Sequence, residues 1–251
     1  MTTLVFLHIP KTAGQSVHAE LARVVGAAAV SPVRVHTQAG PDAQFPPGYA
    51  LYSGHLDWTG LDAVTGDRFV FTVLRDPRER IASFYLYLLA KAEKTEAEAL
   101  ALPGNRGLKV IRSVSADDYF FGGDQAWKVF VRDHYDNFYC SYFATRKVRG
   151  WRDIAKLPKP EMMARARAGA AALDQIYTTG DLGALEADVL RLTGQPVQLA
   201  GRFVNAGPDP TAPTRWAELL GRLERDDTAA RLERFAAFDS LLLRELGLTA
   251  D

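Results

Sequence analysis

Hydrophobic and polar positions change rhythm twice within the first 26 residues. Residues 4–7, Leu-Val-Phe-Leu, form a short unbroken apolar run, as in a parallel strand buried on both faces. Beyond a polar loop, Val17, Leu21, Val24 and Val25 recur at helical spacing, which predicts a helix over 16–25 that ends near Gly26. A second strand is predicted over 49–56, ending at Gly54-His55, after a passage from 31 to 48 punctuated by proline and glycine. The third, over 69–74, is rich in β-branched and aromatic residues. A helix follows it, with Asp76 as N-cap, Pro77 in the first helical position and Glu79 completing a capping box. On that helix Arg78 and Arg80 are expected to face solvent.

Further along, 91–105 reads as a helical extension fraying into a loop, and the aromatic-rich stretch from Tyr119 to Phe143 as helical core. A helix over 161–173, a strand over 175–179 and a helix capped by Asp181 and ended by Gly194 come next. After a loop over 196–213, Trp216, Leu219, Leu220 and Leu223, then Leu232, Phe235, Phe238, Leu241, Leu242 and Leu246, mark helical packing faces. Strands alternating with helices predict an α/β fold: one three-layer, P-loop-like domain over 1–251, with a mainly parallel central sheet and a helical C-terminal part.

Composition narrows the function classes. A net charge of zero over 251 residues argues against a broad nucleic-acid footprint. The single cysteine, Cys140, excludes an intrachain disulfide and a cysteine-based zinc site, and fits a reducing compartment. No run approaches the ~20 apolar residues of a membrane span. The chain enters a strand at once, leaving no room for a cleavable leader, so a cytoplasmic location is expected.

The chemistry concentrates where strands end. His8-Ile9-Pro10-Lys11-Thr12-Ala13-Gly14-Gln15-Ser16 lies between the first strand and the first helix, where unpaired N–H groups and the helix dipole favour a phosphate or sulfate. Gly14 would let the backbone approach such an anion, Lys11 adds a positive charge, and Thr12 and Ser16 add hydroxyls. The Walker A order is absent, because this glycine follows the lysine, and a plain strand-to-helix turn with a solvated lysine remains open. His55 stands at a strand's C-terminal end, where open α/β sheets bind ligands; it is either a base or an imidazole packing a turn. Arg75, at the tip of the third strand, is suited to bidentate anion binding, with Ser83 two turns into the next helix able to reach the same group; an ion pair with a local carboxylate is the other reading. The cluster Arg146, Lys147, Arg149 and Arg152 reads as a solvated face, with a site for an anionic acceptor as its alternative. His8 reads as a support for the loop.

Taken together, residues 8–14, Gly54-His55, and Leu74-Arg75-Asp76-Pro77 through Arg80 and Ser83 resemble the successive signatures of the sulfotransferase family that includes heparan sulfate 2-O-sulfotransferases and bacterial relatives. The resemblance implies transfer of a sulfonate from 3′-phosphoadenosine 5′-phosphosulfate (PAPS) to a hydroxyl acceptor, without a metal. By this resemblance Lys11, Thr12, Ala13, Gly14, Gln15 and Ser16 hold the 5′-phosphosulfate, and Arg75 and Ser83 the 3′-phosphate. His55 is the implied base, and Lys11 stabilises the leaving phosphate. A saccharide is the implied acceptor, with a lipid or a small alcohol or phenol as alternatives. Gln15 stands where the family has Thr or Ser, and Ser141 where it commonly has Arg. The 201–205 segment, Gly-Arg-Phe-Val-Asn, resembles the late segment that closes over the nucleotide. Two rival functions share parts of the pattern: a P-loop kinase or NTPase, opposed by the missing Walker A order and by Asp76 serving as a cap, and a non-catalytic nucleotide- or glycan-binding relative.

Overall fold

The computed structural model describes residues 2–199 and 214–248. Its strands are β1 (Thr3–Leu7), β2 (Leu51–Gly54), β3 (Arg68–Leu74) and β4 (Gln175–Thr178), all paired in parallel in the order β2-β1-β3-β4. After β1 the chain adds β2 on one side of it, then returns to place β3 on the other. That reversal of direction falls between the C-terminal ends of β1 and β3, the position where ligands bind in open parallel sheets.

The helices are α1 (Gly14–Val25), α2 (Pro77–Glu93), α3 (Ala97–Leu100), α4 (Arg106–Ser113), α5 (Ala116–Phe121) and α6 (Gln125–Tyr135). They continue as α7 (Phe138–Thr145), α8 (Trp151–Ile154), α9 (Lys159–Ala170), α10 (Leu182–Thr193), α11 (Arg215–Leu220) and α12 (Asp226–Glu245). None of them is long and apolar enough to cross a membrane.

Helices cover both faces of the sheet because its strands are apolar on both. Successive side chains of β1 alternate: Leu4 and Phe6 join Phe71 and Val73 under α1 and α10, while Val5 and Leu7 join Val70 and Leu74 under α7, α9 and α12. A separate cluster, built from Ile81, Tyr85, Ile111, Tyr119, Phe120, Trp127 and Phe235, binds α2, α4, α5, α6 and α12 together. Each such fully buried side chain contributes about 1.5–3 kcal/mol by leaving water.

Several expectations need correction. Arg80 is 2% exposed, its guanidinium 4.3 Å over the Phe138 ring and donating twice to the carbonyl of His134. Only Arg78 lies outward, paired with Glu233. The capping box is half made: Asp76 accepts from the Glu79 N–H at 2.9 Å, but the Glu79 side chain turns away to Arg75 and to the start of α11. Residues 106–113, to which the sequence assigned no element, form α4, with Leu108 and Ile111 buried on one face. The 201–205 segment lies outside the described residues, as does most of the 196–213 loop.

Candidate active site

β1 runs into α1 through a loop with two left-handed residues, Lys11 at φ 72° and Ala13 at φ 64°. Neither is glycine, so each carries about 1–3 kcal/mol of backbone strain that the surrounding packing must hold. Part of that hold is Thr12, fully buried, whose hydroxyl donates to the Ile9 carbonyl at 2.9 Å. The Thr12 side chain thus braces the loop. Ala13 is the N-cap of α1 and offers no side chain to the first-turn N–H groups of Gly14, Gln15 and Ser16. Gln15 is exposed and Ser16 half-buried at this helix start.

The sequence assigns Gly14 to close approach of a ligand; the structure gives the space to His8. A Cβ on Gly14 would lie 1.7 Å from His8 Nε2, so only glycine fits beneath that ring. Gly54 is fixed in the same way, since a Cβ there would meet the Arg34 carbonyl oxygen at 2.3 Å. The 30–36 segment runs alongside β2, with the His55 N–H donating to Arg34 O and the His36 N–H to His55 O.

Register explains why His8 and His55 meet. β1 and β2 pair Phe6 with Ser53 and Leu7 with Gly54, so one further step sets His8 opposite His55 on the Phe6 side of the sheet. Their ring centroids are 4.2 Å apart, and His55 Nδ1 donates to the His8 carbonyl at 2.6 Å. A carbonyl only accepts, so the proton sits on Nδ1 and the Nε2 lone pair of neutral His55 remains available. Burial and the nearby His36 and Arg34 hold the His55 pKa below the ordinary imidazole value, against the opposing pull of the His8 carbonyl. One turn into α1, His18 accepts from Arg34 Nη1 at 2.5 Å and donates from Nδ1 to Ser53. Burial and that arginine lower its pKa to about 4. His134, on α6, is lowered to about 3, mainly by burial.

On the other side of the loop, positive charge accumulates. The Lys11 ammonium lies 4.0 Å over the Tyr87 ring, and its pKa is lowered to about 8 by burial and by the charges of Arg215 and Arg75. Arg75 follows β3, with its backbone bonded on both sides to the Tyr139 hydroxyl. Its guanidinium pairs with Glu79 at 2.9 Å, so the local ion pair weighed in the sequence is present. Glu79 is shared, however, because it also accepts the N–H of Trp216 at the start of α11. Ser83 is buried on α2, and its hydroxyl makes no hydrogen bond to a described residue.

The remaining candidates divide. Arg146 stacks 4.7 Å over Trp58 and Lys147 pairs with Asp153, while Arg149 and Arg152 are exposed. Ser141 is buried inside α7. Among the described residues no group of three His, Cys, Asp or Glu side chains is placed to hold a metal ion. Sequence reasoning missed Arg34, Arg215 and Tyr87. Arg34 and Arg215 sit in or beside loop-rich stretches without a motif, and Tyr87 reads as one aromatic residue among many on α2. No model of a known protein family matches this chain, and no curated protein matches it in sequence.

Proposed function

We propose that this protein is a sulfotransferase of P-loop-like architecture that moves a sulfonate group from PAPS to a hydroxyl acceptor. The observation that carries the reading is what the loop between β1 and α1 joins: its two left-handed residues, Lys11 with its pKa lowered by burial and by the charges of Arg215 and Arg75, and His8, whose ring adjoins that of His55 with its Nε2 lone pair available. A bound anion would offset the positive charge that Arg75 and Arg215 still press on Lys11 beside the Arg75–Glu79 pair, and the loop strain is of the kind that ligand clamps retain.

Each residue then has a defined task. His55 Nε2 takes the acceptor's hydroxyl proton as the new O–S bond forms. Lys11 and the first-turn N–H groups of α1 hold the phosphate oxygen that leaves with the electrons of the broken S–O bond. Arg75, released in part from Glu79, and Ser83 bind the 3′-phosphate. Proximity of base, acceptor and leaving group supplies much of the rate. The acceptor is a saccharide or another alcohol or phenol.

Calorimetric titration with adenosine 3′,5′-bisphosphate, against ADP and ATP with and without Mg²⁺, tests this. Metal-independent binding that requires the 3′-phosphate is expected. Preference for Mg-ATP would transfer the site to a kinase or NTPase, and nucleotide binding without turnover on any hydroxyl acceptor would leave a binding protein.

A further inference from the structure

The imidazole of His8 has no task in the reaction described so far, yet its surroundings are those of a working group. It is 9% exposed, stacked 5.3 Å from Phe6, and set against the first residue of α1, where Gly14 leaves its Nε2 room. Its ring nitrogens have no hydrogen-bond partner among the described residues.

We propose that His8 donates its ring N–H to an oxygen of the sulfonate during transfer, as a stabilising partner to the base His55. This rests on the sulfotransferase reading and assigns a residue that the reading leaves idle. The geometry supports it in two ways. The ring lies against Gly14 at the start of α1, and its centroid is 4.2 Å from that of His55, so the two imidazoles are adjacent at the end of the sheet. Burial first, and then the charges of His55, Arg34, His18 and Lys11, hold His8 neutral at physiological pH. Neutrality matters for the pair, because an imidazolium at this distance would oppose proton uptake by His55. A neutral imidazole at a helix N-terminus still donates one strong hydrogen bond without that penalty.

The test compares wild type with His8→Phe, which keeps a flat ring without a donor, and His8→Gln, which keeps a donor. Binding of adenosine 3′,5′-bisphosphate, which lacks the sulfonate, is expected to be unchanged in both. Transfer is expected to fall roughly 10²-fold in His8→Phe, as for loss of one oxyanion donor, and to recover in part in His8→Gln. As a readout independent of turnover, the ¹⁵N-labelled imidazole signal that His8→Phe removes should shift on binding PAPS and stay in place with the bisphosphate. A wild-type rate in His8→Phe, or a signal indifferent to the sulfonate, overturns the assignment. So does equal loss of bisphosphate binding in both variants, which marks His8 as packing alone. Failure of the wild type to bind either nucleotide overturns the sulfotransferase reading itself, and His8's role with it.

Discussion

His55 Nδ1 donates to the carbonyl of His8, 47 positions earlier in the chain, at 2.6 Å. One backbone oxygen at the end of β1 thereby fixes the tautomer of a side chain at the end of β2, and with it the direction in which that imidazole presents a lone pair. The pairing requires no carboxylate, unlike a Ser-His-Asp arrangement. The carbonyl favours the imidazolium, yet His55 stays a weak base, because burial and then the charges of His36 and Arg34 disfavour it.

That weakness sets a pH profile. A base must be unprotonated to act, and a pKa held below the ordinary imidazole value keeps His55 neutral further into acid. The acid limb of the transfer rate is therefore expected to lie below that of a free imidazole. His55→Ala should lower transfer by roughly 10²–10⁴-fold while leaving nucleotide affinity within a few-fold of wild type. An acid limb centred above pH 7, or loss of binding equal to the loss of rate, would remove His55 as the base.

Lys11 links binding to protons. Its pKa of about 8 in the free protein must rise when an anion offsets the charges of Arg215 and Arg75. Binding of adenosine 3′,5′-bisphosphate at pH 8.5 is expected to take up a proton, so affinity falls as pH rises above about 8, by at most about tenfold per pH unit. Calorimetry in two buffers of different ionisation enthalpy reads this directly. Lys11→Arg should abolish the proton uptake, since guanidinium does not titrate there.

Arg75 and Glu79 separate binding from stability. Arg75→Ala should weaken the bisphosphate by roughly 10–150-fold, the range of a lost charge-assisted bond, while 5′-AMP is bound as before. Glu79→Ala instead unties the Trp216 N–H and is expected to lower the melting temperature by several degrees, about 1 kcal/mol for a lost helix cap. Equal effects of both variants on both measurements would mean that Arg75 is structural.

Asp239 controls acid behaviour at the start of α7. Its buried carboxylate accepts the N–H groups of Tyr139 and Cys140 at the start of α7, and burial still raises its pKa to about 6. The folded pKa exceeds the unfolded value of about 3.9, so the folded state retains this proton longer. The group's contribution is therefore greatest below pH ~4 and declines as pH rises toward ~6, by a total of about 3 kcal/mol. Denaturant midpoints at pH 4 and pH 6.5 should show this decline in wild type relative to Asp239→Asn; a parallel response in both proteins would refute it.

Much of the framework was legible because its causes are local. The apolar run of β1, the spacing of Val17 and Leu21 on α1, and the Asp76-Pro77 start of α2 need only pleat, turn period and a cap bond three residues away. The same holds for β4 and for α10 between Asp181 and Gly194. Lys11, His55 and Arg75 stood out in the sequence as residue types at strand ends, whereas Arg34 and Arg215, in or beside loop-rich stretches, carried no such mark.

What the sequence by itself determined is therefore the order of strands and helices and the chemistry carried at their junctions. Tertiary structure alone decided that Arg80 is buried against Phe138, that Gly14 makes room for His8, and that Glu79 serves α11 instead of its own helix. It also decided that Lys11, Arg75 and Arg215 act on one another. The physical reason is range. Periodicity and capping act over one or two turns, whereas shared burial, charge coupling and steric exclusion arise only when segments distant in the chain are packed into one low-dielectric space.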